Sequence, residues 1–376
     1  MFKRNLLPAG IFLGIVCSVL VAVFIIHLKS APKQYHLEAF NFDNQKSLLQ
    51  QFEKEIRTFG DKRAYDRLAN AVSGLSADDQ HEYGHLFGDA LYSVEGLKGI
   101  AVCDTRFSYG CFHQILSDAL LKYGSSAVPM LDQRCKEVLK DAYLSCQHGL
   151  GHGIMVSVGL NRKGYDEPHL IQALDECRKL PDDHPRGGCD GGVYMEYNLR
   201  TAANVELDQN NIRPADKGDY YYPCDHLKAN QQATCYFWMP QWWALAGAIR
   251  YAENQNISDD LLYRKTGDLC GSLSPESSRA CFEGIGYAVI STAKLDPKVT
   301  LHLCMQASSN AENSLYCRSF AASMLKDVTQ NSAAANYMCQ GLTGSRETFC
   351  MAYAKEKGNF FTSLPAPGSE LPAHSG

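Results

Sequence analysis

Several common signatures of chemistry are missing from this chain. It has no P-loop, no GxGxxG after a strand, no CxxC redox pair, no CxxCH haem-attachment site and no GxSxG nucleophile elbow. Nucleotide binding, dithiol exchange, covalently held haem and α/β-hydrolase chemistry therefore have no local sequence support, although a Ser/His/Asp triad assembled from distant residues stays open. Basic runs are missing from the body of the chain, and a formal net charge of −5 argues against a nucleic-acid partner. Tryptophan is scarce. Trp238, Trp242 and Trp243 are the three in the chain, and their spacing fits core packing better than a ligand-stacking platform. Long apolar runs are equally rare, the clear one being Leu6–Leu28, broken by Ser18 and the near-terminal His27. At about 20 residues it is long enough to cross a bilayer. It follows Lys3 and Arg4 and shows no small-x-small cleavage site. The expectation is an uncleaved signal-anchor transmembrane helix over 1–29. That makes the chain a single-pass membrane protein with its bulk extracytoplasmic, either periplasmic or extracellular.

Cysteine is abundant. Of 15, Cys17 lies in the apolar run, and the other 14 fall into sequential pairs: Cys103/Cys111, Cys135/Cys146, Cys177/Cys189, Cys224/Cys235, Cys270/Cys281, Cys304/Cys317 and Cys339/Cys350. An even, regularly spaced set points to disulfides and an oxidising compartment. Zinc knuckles want two to four residues between ligands, and these gaps are all longer.

The pairs also mark a repeat. Second cysteines recur every 33 to 46 residues, in the range of helical-hairpin arrays. Between the cysteines the sequence often turns polar, as in LPDDHPRGG or LSPESSR, and apolar helix-like runs follow, as in CFEGIGYAVI. Each unit thus reads as helix end, Cys, short loop, Cys, helix start. A bridge closing such a loop contributes on the order of 2–3 kcal/mol. Residues 135–146 conflict with this pattern, because cysteines 11 apart on a straight helix stand about 16 Å apart. A break near Lys140–Asp141 resolves the conflict.

The expected fold is all-α: disulfide-stapled helical-hairpin repeats, solenoid-like, after the N-terminal membrane anchor. A stem and helical cap over 30–102 carries His81 and His85, seven Cys-paired hairpins span 103–358, and 359–376 is a disordered tail.

Histidine supplies the chemistry. In CQHGLGHG, His148 and His152 are four apart and share a helix face, and QHEYGHLFG repeats the spacing with His81 and His85. Gly149, Gly151 and Gly153 interleave the first pair. Each interior glycine costs a helix roughly 1 kcal/mol relative to Ala, so the run implies close approach of another backbone or an ion. Aligned on second cysteines, His113 and His148 occupy the same register, and stacked repeats bring equivalent positions together. Five histidines then converge: His81, His85, His113, His148 and His152. Such a cluster suits a transition metal (Zn, Cu or Fe), with Asp89 and Glu196 as supporting carboxylates.

HEYGH also matches HExxH, and His81, Glu82, His85 and Gly88 resemble the metzincins as far as HExxHxxG. Leu91 stands where that family has its third histidine. The resemblance implies a zinc peptidase with Glu82 as catalytic general base. Three functions follow as expectations. The first is a metalloenzyme, redox or hydrolytic, acting on an unknown small-molecule, peptide or protein substrate. The others are an HExxH metallopeptidase and a non-catalytic repeat scaffold that binds a protein or glycan.

Overall fold

Leu48, Phe52 and Ile56 recur at helical spacing, and all three are buried on one face of α1 (Gln45–Phe59). The computed structural model describes residues 37, 44–140, 143–159, 167–180, 188–199, 219–252 and 256–355. Among them every regular element is helical, and no strand occurs. After α2 (Asp61–Val72), α3 (Ala77–Glu95) opens on Ser76, whose hydroxyl accepts from the Asp79 backbone N–H.

Seven disulfides join the seven sequential pairs, with Cα separations of 5.5–5.7 Å. The first leads into α4 (Gly110–Tyr123). The second joins α5 (Val128–Leu139) to α6 (Tyr143–Gly159), and the third joins α7 (Glu167–Cys177) to α8 (Cys189–Leu199). The fourth holds a short turn at Cys224–His226 against α9 (Ala229–Pro240), after which comes α10 (Ala248–Ala252). The last three link α11 (Asp259–Gly271) to α12 (Pro275–Thr292), α13 (Pro297–Ala307) to α14 (Ala311–Thr329), and α15 (Ser332–Met338) to α16 (Ser345–Lys355). The expected break is present. α5 stops at Leu139, and Lys140 turns the chain with φ +36°, bringing Cys135 and Cys146 to a Cα distance of 5.6 Å.

The two arms of a unit differ in burial. First arms such as α11 and α13 bury one stripe, whereas second arms such as α6 and α12 are buried over most of their surface. The cap helix α3 packs on α4, and the second arms then pack in series, α4, α6, α8, α9, α12, α14 and α16. The series curls back on itself. α14 packs on the turn Arg106–Tyr109, where the Tyr109 hydroxyl donates to Asp327 at 3.4 Å and Gln330 donates to Thr105 at 3.4 Å. The solenoid-like row of hairpins expected from the sequence is therefore closed by contacts between its last units and the first turn. Trp238, Trp242 and Trp243 belong to the core, at most 4% exposed.

Glycine permits the tight packing of second arms. A Cβ on Gly192 would stand 1.8 Å from the His148 carbonyl oxygen, and one on Gly151 would stand 2.0 Å from that of Cys189. α6 and α8 thus approach backbone to backbone.

The membrane anchor is not upheld. Segment 1–29, the stem up to residue 43 apart from Leu37, and the tail 359–376 lie outside the described residues. Among the described residues no helix is long and apolar enough to cross a membrane. The longest helices, α3 and α14 at 19 residues each, carry charged side chains along their length. The single-pass placement is withdrawn. Of its original grounds the disulfides remain, and they fit an oxidising compartment.

Candidate metal centre

The site is built on the cap helix α3 and the three consecutive second arms that follow it. α3 supplies His81 and His85, α4 supplies His113 and Gln114, α6 supplies His148 and His152, and α8 supplies Met195 and Glu196. The i, i+4 spacing puts each pair on one helix face, and packing in register sets His113 between the pairs. Its ring centroid lies 5.4 and 5.7 Å from His81 and His85, and 5.2 and 4.5 Å from His148 and His152. All five rings are buried, none more than 6% exposed.

Neighbouring acceptors decide where the ring protons sit. His81 Nδ1 donates to the Phe107 carbonyl at 3.0 Å, and His152 Nδ1 donates to Glu196 at 3.0 Å. His85 Nδ1 donates to Gln114 Oε1 at 3.1 Å, while the Gln114 amide donates in turn to Asp118 at 2.8 Å. A neutral imidazole with its proton on Nδ1 carries a bare lone pair on Nε2. His81 and His85 nevertheless place their Nε2 atoms 3.0 Å apart, and His148 and His152 place theirs 3.3 Å apart. Protonation is disfavoured at one ring of each pair. Burial, and then the neighbouring imidazoles, hold His85, His113 and His148 well below the usual imidazole value. Two nitrogens that share an ion at about 2.0–2.1 Å, with an angle between a right angle and tetrahedral, stand about 2.9–3.4 Å apart. Both observed separations fall in that window. The donor atoms of His81, His85 and His113 lie within 4.8 Å of one another, and so do those of His113, His148 and His152, so each triad could hold a metal ion.

The other expected residues separate. Glu196 is wholly buried and holds His152, as a supporting carboxylate would. Asp89 instead belongs with Glu53 and Asp118: burial, and then Glu53, raise its carboxyl. Glu82 is half-buried and is absent from both triads. The third ring beside the HExxH pair is His113, from another helix.

Met195 and Trp238 went unnoticed in the sequence as site residues. Met195 Sδ lies 3.5 Å from His148 Nε2, and the Trp238 ring lies 5.2 Å from the His148 ring. The repeat register held the signal for the first, since Met195 follows Cys189 by six positions as His152 follows Cys146. The Phe107 carbonyl is backbone and leaves no such trace. No protein-family model, curated protein or solved structure matches the chain.

Proposed function

We propose that this chain is a transition-metal protein whose histidine centre performs redox chemistry on electrons or small molecules. The carrying observation is the pair of Nε2 lone pairs of His81 and His85 facing each other at 3.0 Å, with both side chains buried. A bound cation turns that contact from repulsive to favourable. Imidazole serves Zn, Cu, Fe and Ni alike, whereas a thioether selects copper. Met195 beside His148 therefore makes copper the ion this donor set favours, and when bound copper supplies one-electron chemistry. His148, Trp238 and half-buried Tyr287 form an aromatic path away from the rings, with Tyr287 5.4 Å beyond Trp238.

Burial of the rings supports electron or small-molecule traffic over hydrolysis of a chain substrate. The HExxH reading needs Glu82 to activate water on an ion open to a peptide. An open cleft of about 670 Å³ among the described residues is lined by Arg264, Asp268 and Met305 among others, and by none of the five histidines.

The test is metal analysis of the purified full chain after chelator treatment and reloading with copper, zinc or iron salts. Wild type is expected to retain copper through gel filtration. A variant with all five histidines changed to Ala, folded by circular dichroism, is expected to retain none. Equal metal content in the two proteins sinks the proposal. Glu82→Gln is expected to leave metal content and any redox activity unchanged, whereas a peptidase would keep its metal and lose its activity.

A further inference from the structure

We propose that the centre holds two metal ions, one in each triad, with His113 bridging them as an imidazolate. The inference rests on the metal reading above and adds a stoichiometry and a bridge to it.

Distances argue against one ion. Ligands of a single ion at about 2.0–2.1 Å cannot lie more than about 4.2 Å from one another. Donor atoms within 4.8 Å of one another form two sets of three, His81/His85/His113 and His113/His148/His152, and not one set of five. The five rings thus define two shells that share a member. Each pair also has its own close Nε2 contact, at 3.0 and 3.3 Å, and each separation suits two ligands of one ion.

His113 is distinct among the five. Neither of its ring nitrogens, both fully buried, has a hydrogen-bond partner. Desolvation without compensation on both sides of one ring is costly. No carbonyl or carboxylate fixes its tautomer, in contrast to His81, His85 and His152. A ring that bridges two cations needs both nitrogens bare. The balance is simple: one His113 nitrogen binds the first ion through its lone pair. The other gives up its N–H proton to solvent as the second metal–nitrogen bond forms, the ion's charge stabilising the anionic ring. The two sites are unequal. The His148/His152 side has the Met195 thioether within reach, and the His81/His85 side is fixed by the oxygens of Phe107 and Gln114.

The test titrates copper(II) chloride into the chelator-treated full chain and follows bound metal and electron paramagnetic resonance. Wild type is expected to saturate at two copper ions, with a low-temperature signal well below two spins because the shared imidazolate couples them. His81→Gln with His85→Gln is expected to bind one ion and show its full spin. His113→Gln is expected to weaken both sites and abolish the coupling. Saturation of wild type at one ion overturns the two-ion centre and leaves the metal reading standing; no bound ion overturns both. Two uncoupled ions, unaffected by His113→Gln, overturn the bridge. If His113→Gln fails to fold, the stoichiometry and spin count of wild type and of the paired variant decide the question.

Discussion

His85, His113 and His148 are bases sealed away from water, and the metal-free protein carries the consequence. Their folded values lie well below the usual imidazole value of 6.5, first through desolvation and then through neighbouring imidazoles, His81 beside His85 and His152 beside His113 and His148. Below pH 6.5 the unfolded chain therefore binds protons that the folded chain refuses, so stability falls as pH falls. Each such group contributes up to about 1.4 kcal/mol per pH unit, and the three together up to about 4. Urea midpoints of the chelator-treated protein are expected to drop steeply from pH 6.5 to 5.5, and a flat profile would show that the rings exchange protons while folded. Asp118 has the opposite sign. Burial, and then Asp89, push it up to about 7 from 3.8, so the folded carboxyl keeps its proton where the unfolded one has lost it. Stability is then lost as pH rises from about 4 to 7. Asp118→Asn keeps an oxygen for the Gln114 amide and removes this loss. It is expected to stabilise the protein at pH 8 by about 2–4 kcal/mol, discounted for partial exposure, and to give no gain at pH 3.5.

Helices in this protein meet backbone to backbone, and that explains the glycines better than the histidines do. Gly151 and Gly192 let α6 and α8 touch, but the same device recurs where no histidine lies. A Cβ on Gly284 would stand 1.9 Å from the Phe237 carbonyl oxygen, and one on Gly286 would stand 2.4 Å from that of Cys317. Gly192→Ala is expected to destabilise by about 3 kcal/mol or more, because the obstacle is a carbonyl and not a flexible side chain. It should also lower metal content by moving α8, which carries Met195 and Glu196, away from α6. Gly271→Ala, with nothing within 4 Å of the added carbon, is the control and is expected to be neutral in the same denaturation series. The sequence made the helical class, the staples and the gathering of five rings legible, because cysteine spacing and i, i+4 periodicity are local signals repeated in register. It hid the purpose of the glycines, since whether a backbone or an ion approaches them depends on a partner about 40 residues away. Met195 went unread for a related reason: a thioether in an apolar run looks like core until a neighbouring helix brings an imidazole to it.

Closure is the property that no single unit encodes. An open array of stapled hairpins transmits stability only between neighbours, so an ion bound at α3–α8 would leave α14 untouched. Here α14 returns to the turn Arg106–Tyr109, and that turn is part of the site, because the Phe107 carbonyl fixes the proton of His81. Tyr109, two residues on, is buried and donates to Asp327 on α14. Ligand binding to the folded state alone stabilises by about 2.7 kcal/mol at a hundredfold excess over the dissociation constant. The ring of contacts should spread that gain around the molecule. Hydrogen exchange followed by mass spectrometry is expected to show copper slowing amides in Ala311–Thr329 as well as in the helices that carry the histidines. Asp327→Ala removes the acceptor of Tyr109 without touching a ring. In that variant copper should still bind, and the added protection should stay in the N-terminal units. If protection of Ala311–Thr329 were indifferent to copper in wild type, the closing contacts would be mechanically idle, and each stapled unit would stand on its own stability.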